Sequence, residues 1–279
     1  NQLPGCISSL PVLRWGWIMT DHALTHLPPG AARLGWLAAR PRAVATGCIV
    51  ALTALGWSVL GGALAQTGGS WWTALCGQLD ASATLIVALW LAMVLAMMLP
   101  TAAPMLLTYA EIAETAARKG ERIVSPLMLA AGYCAVWIGA ALVAALAQIS
   151  LASLVPATWT QPLTAAAFVG AGLYQFTTLK HACLSRCRQP FSFFFLNWTT
   201  TPHGVFRLGA RQGLDCLGCC WAMMALMFVS GAMNVVWMAA LAIYMTAEKL
   251  GSGPWLTRIG GAALIAIGVG LVITNMITG

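Results

Sequence analysis

Charge is what this chain has least of. Only 8% of its 279 residues are Asp, Glu, Lys or Arg, while 60% are hydrophobic. Soluble domains run near a quarter charged, so too few polar groups are present to cover a water-facing surface. Other absences narrow the choice. Short segments of alternating polarity are missing, which excludes a transmembrane β-barrel. Glycine-rich phosphate loops, a nucleophile elbow and a dinucleotide fingerprint are also missing, so the familiar nucleotide and hydrolase chemistries have no foothold. The final apolar run has no internal Lys, which excludes a retinal protein. The centres of the apolar runs hold no ionisable residue, which argues against a proton-driven transporter.

What is present is a series of apolar runs close to the twenty residues that span a bilayer. The expected fold is therefore all-α: a polytopic helical membrane protein of about seven transmembrane helices, near residues 43–65, 82–107, 126–151, 161–180, 214–230, 232–249 and 257–276. Residues 1–42 form a cytoplasmic or interfacial segment, with Trp and Arg in "LPVLRWGWIM", and no early apolar core of a cleavable leader. Residues 43–279 form one transmembrane domain. All 14 Lys and Arg fall in the N-terminal segment, in loops 111–125 and 180–213, or beside the last two spans. With the N-terminus in the cytoplasm, the positive-inside rule is satisfied by every one of them. The lipid bilayer is then the first partner, and nucleic acid is not expected, because topology already accounts for the basic loops. Pro100 and Pro104 in "AMMLPTAAP" predict a kink or break in the second span.

Sulfur is unusually concentrated. Five of nine cysteines lie in "KHACLSRCR" and "GLDCLGCC": Cys183, Cys187, Cys216, Cys219 and Cys220. Cys183 and Cys187 are four apart, and Cys216 lies three and four residues from Cys219 and Cys220, so each group shares a helical face. On the cytoplasmic side thiols stay reduced, which favours free thiols or metal ligands over disulfides. The two groups together suit Zn, Cu(I) or an iron–sulfur cluster. Lys180, Arg186, Arg188 and Arg211 nearby are expected to favour thiolate. The spacing continues to Met223 or Met224 and then Met227, with Met93, Met97, Met98 and Met105 in the second span; thioethers favour Cu(I), although Met also fills gaps between helices.

Carboxylates form a second candidate set. Glu111 and Glu114, one turn apart, with Asp215, Glu248 and His181 or His203 can bind a hard metal, but no Glu-x-x-His of the di-iron kind is present. Ordinary ion pairs such as Glu114 with Arg118, or Glu248 with Lys249, are the simpler account. His22 and His26 in "DHALTH" make only half a site.

"LAMMLP" with Pro104, "GLYQFTTLKHACLSRCR", "GLDCLGCCWAMM" followed by "GAMN", and the Glu248–Lys249 pair together resemble a bacterial family of predicted metal-binding integral membrane proteins (domain of unknown function 2182). The likeness covers roughly residues 85–250. It implies metal binding through the five cysteines in a bacterial inner membrane. The leading expectation is a soft metal, Cu or Zn, held by cytoplasmic-side cysteines for handling or sensing, with Met223 and Met227 lining a path inward. Two alternatives stay open: an accessory subunit of a larger membrane complex, suggested by 13 Trp and small-residue stretches, and a thiol- or metal-dependent oxidoreductase using a Cys219–Cys220 disulfide or bound iron.

Overall fold

The computed structural model describes residues 41–66, 82–120, 124–154, 156–229, 235–251 and 253–278. Among these the protein is all-α. Residues 1–40, 67–81 and 230–234 lie outside them, and with them His22 and His26.

Helix α1 (Pro41–Gln66) packs along α2 (Ala83–Met93) and α3 (Leu99–Arg118), which are joined without a break by a π-helical turn, Val94–Met98. Then come α4 (Pro126–Leu154), α5 (Thr160–Tyr174), α6 (Thr178–Arg188), α7 (Pro190–Leu196), α8 (Pro202–Val229), α9 (Val235–Leu250) and α10 (Trp255–Thr278). Among the described residues, four helical stretches are long and apolar enough to cross a membrane: Arg42–Gly62, Ala83–Ala116, Pro126–Leu151 and Trp255–Ile277. The other three expected spans are helical in their described parts but shorter or more polar. The one placed at residues 161–180 ends at Tyr174; Thr177 then caps a new helix by accepting from the Lys180 amide.

The prolines of the second span do not break it. Pro100 has no N–H to return to the Ala96 carbonyl, and the chain accommodates this upstream: the Leu99 amide reaches back five residues to Val94. The Ala96 carbonyl instead accepts the Trp57 indole N–H of α1 at 3.1 Å. The extra residue in the turn also rotates the helix, so that Met93, Met97 and Met98 are all buried.

Helices α4 and α8 make the closest pairing, and glycine is the reason. A Cβ on Gly132 would strike the Phe206 carbonyl, and one on Gly209 would strike the Leu129 carbonyl. Small residues permit this backbone approach where lipid offers no hydrophobic drive for association. The contact holds the middle of α8 against Tyr133 and Trp137 of α4, both buried.

Candidate metal centre

Helix α8 carries the centre. Its buried face runs through Gln212, Asp215, Cys216, Cys219, Cys220, Met223 and Met227, the spacing of one helical stripe. The Sγ atoms of Cys216, Cys219 and Cys220 lie within 4.8 Å of one another, and each residue is no more than 2% exposed. They are free thiols. Cys219 and Cys220 have their sulfurs 3.3 Å apart, and the Cys219 thiol donates to the Cys216 carbonyl at 3.1 Å.

A buried cation sits on this cluster. Lys249, at the end of α9, donates from Nζ to Cys216 Sγ at 2.9 Å and to Thr101 Oγ1 at 2.8 Å. Tyr133 Oη is 3.1 Å from Cys216 Sγ and donates to the Met98 carbonyl at 3.1 Å. That carbonyl also accepts from Thr101 Oγ1 at 2.8 Å. An ammonium removed from water costs several kcal/mol unless a counter-charge meets it, on the order of what an unpaired buried ion costs. Here it is placed to balance the thiolate that a soft-metal site needs. Of the basic residues expected to supply such charge, Arg186 acts on the Cys183 thiol, while Lys180 and Arg188 are engaged elsewhere. Lys180 pairs with Glu248 at 2.8 Å with both side chains 1% exposed, Arg186 pairs with Asp215 at 3.0 Å, and Arg188 donates to the Glu248 and Gly253 carbonyls.

Helix α6 brings the second cysteine group to the first. A Cβ on Gly218 would lie 2.7 Å from Cys183 Sγ, so glycine there admits the thiol against the turn that separates Cys216 from Cys219. The Tyr174 hydroxyl donates to the Gly218 carbonyl and pins the same turn. Burial pushes the Cys183 thiol up from its ordinary value; the Asp215 carboxylate adds to this and Arg186 opposes it. The Cys187 thiol is pushed well up, first by hydrogen bonding with Cys216. Cys187 therefore stands beside the triad and Cys183 beside the turn that holds it. Asp215 Oδ2 is buried without a partner next to them.

A family profile described as a copper chaperone, PpoB2, matches residues 87–271. The chain belongs to the PpoB2 copper chaperone family. The matched stretch includes all five clustered cysteines and the methionine-bearing parts of α2, α8 and α9. No curated protein and no solved structure matches the chain. The donor set is compatible with copper: clustered thiols, with thioethers beyond them, are soft ligands that suit Cu(I).

The carboxylates expected as a hard-metal alternative do not converge. Glu111 pairs with Arg42 and Glu114 with Arg118, each at 2.8 Å on the surface. Asp215 and Glu248 are held by Arg186 and Lys180, and His181 is half-buried on α6. Glu248 pairs with Lys180 rather than with its neighbour Lys249. The sequence offers Lys249 only as the ion-pair neighbour of Glu248 and through the family resemblance, and gives no sign of Tyr133 or Thr101. A charge at the end of an apolar run was read as a topology marker, and the only signal against that was the adjacent Glu248–Lys249 pair.

Proposed function

We propose that this protein binds Cu(I) through Cys216, Cys219 and Cys220, with Cys187 and Cys183 as the receiving thiols, and passes it on as a chaperone. The observation that carries this reading is the buried thiol triad with the Lys249 ammonium on Cys216. Three thiols within one small volume suit a two- or three-coordinate soft ion. Cys183 and Cys187 lie on α6, whose Arg186 side chain is about half exposed, so they stand between the triad and water. Lys249 orients Cys216 and offsets its charge, as partners of metal ligands generally do.

In this reading the thiol end faces the cytoplasm of a bacterial inner membrane, with seven spans in all. It is supported by the side on which the basic residues fall. The Arg42–Glu111 pair places the start of α1 beside the last turns of α3, as antiparallel neighbours require.

The test is copper retention by the purified, reduced protein against a competing Cu(I) chelator, without oxygen. The wild type is expected to keep copper and the Cys216→Ser/Cys219→Ser/Cys220→Ser variant to release it. Equal retention by both would overturn the assignment. Retention of zinc in place of copper would change the cargo.

A further inference from the structure

We infer that a second Cu(I) site, made of methionine thioethers, lies in the middle of the bundle, outward from the thiols between α2, α8 and α9. This rests on the thiol reading above and adds a station to it. Three contacts set the register of the helices. Lys249 meets Cys216, Tyr133 joins the Met98 carbonyl to Cys216, and the Trp90 and Phe228 rings lie 5.1 Å apart. Helix α8 leaves the thiols towards Val229, and α9 returns to them.

Met227 and Met238 each lie eleven residues from their own end of the Lys249–Cys216 contact. At the α-helical rise both are therefore about 16 Å outward from it. Met93 is three residues from Trp90, and Met227 is next to Phe228, which brings Met93 to the same level. Met245, one turn from Lys249, and Met97, seven residues from Trp90, fall at the level of Cys220; Met223 lies between the two levels. All six are 2% exposed or less, in one continuous core.

Packing alone does not account for this choice. Leu fills similar volume and loses less side-chain entropy on burial, so repeated Met on three facing helices is a costly filler. Neutral thioethers bind Cu(I) or Ag(I) and have little affinity for Zn(II). They hold the ion less firmly than thiolates, as a point of onward transfer should. The outer end is closed by Trp90, whose indole N–H is fixed by Gln148 Oε1 at 2.7 Å, and by Phe228; aromatic faces also suit a cation.

The test counts copper per chain in the full-length protein in lipid nanodiscs, loaded without oxygen from chelator-buffered Cu(I). The wild type is compared with Met93→Leu/Met97→Leu/Met223→Leu/Met227→Leu, which preserves volume, and with the triple Cys→Ser variant. One copper fewer in the Met→Leu variant, and one copper left in the Cys→Ser variant, are expected. Ag(I) should also shift 13C-labelled methionine methyl signals in the Cys→Ser variant. A Met→Leu variant that loads like the wild type, with methyl signals unmoved, would overturn the second site and leave the thiol reading standing. Full loading of the Cys→Ser variant would strike the thiol reading instead, and the Met→Leu count would still decide the second site.

Discussion

Replacing Lys180 by Met would strand a carboxylate. Glu248 Oε2 has its salt-bridge partner at 2.8 Å, with both side chains 1% exposed, and Glu248 Oε1 has only the Tyr244 hydroxyl at 3.4 Å. Exposed pairs contribute little, but screening is weak here, and removing one partner of a buried pair costs about 3–5 kcal/mol. Replacing both partners by apolar residues of similar volume is often neutral or stabilising, so Lys180→Met/Glu248→Leu should recover most of that loss. The coupling in the cycle should therefore be on the order of 3 kcal/mol. Equilibrium unfolding of the four proteins in mixed micelles measures it. The consequence reaches the metal centre because Lys180 is three residues from Cys183 on α6, and Glu248 is next to Lys249 on α9. The single variant should lose copper more readily as well, and the double variant less so. A Lys180→Met cost under about 1 kcal/mol, or two single costs that simply add, would refute the argument that this pair clamps α6 to α9.

Lys249→Met removes a charge-assisted hydrogen bond to Cys216, worth about 1.5–3 kcal/mol, and should weaken Cu(I) binding roughly 10- to 100-fold in chelator competition; unchanged affinity would remove Lys249 from the site. Gly209→Ala places a methyl group against the Leu129 carbonyl, and should cost about 1–3 kcal/mol in unfolding while the surface change Gly139→Ala, which meets nothing, costs far less. The Cys183 thiol is raised by burial and then by Asp215, so it is protonated at neutral pH and should alkylate slowly there, with the rate climbing as pH passes its raised value. Asp215→Asn removes one raising influence, so the pH–rate curve for Cys183 should move to lower pH; a shift the other way would contradict the stated cause. Trp57→Phe leaves the Ala96 carbonyl without the donor that Pro100 cannot supply, at a cost of about 1–3 kcal/mol in the same unfolding assay.

Fold class and the clustering of soft ligands were legible in the amino-acid order. Apolar runs with so little charge must become buried or lipid-facing helices, because backbone groups in hydrocarbon have to be satisfied within the segment. The spacing of Cys216, Cys219, Cys220, Met223 and Met227 places them on one face of a helix, and α8 has that face buried. What no local pattern decides is which cation meets which anion. Six basic residues lie within or beside the α6–α9 region, and any of Lys180, Arg186, Arg188 and Lys249 carries charge enough to influence a thiol. Packing selects Lys249, because Gly132 and Gly209 bring α8 onto α4 and the end of α9 places Lys249 on Cys216. The π-helical turn is hidden for a similar reason. Pro100 announces a missing donor, but whether the helix kinks or widens depends on Trp57, thirty-nine residues from Ala96, supplying the replacement bond. Residue types and their helical period follow from the chain's own chemistry; the pairing of buried charges and the register between helices are set only when distant segments compete for the same few partners in three dimensions.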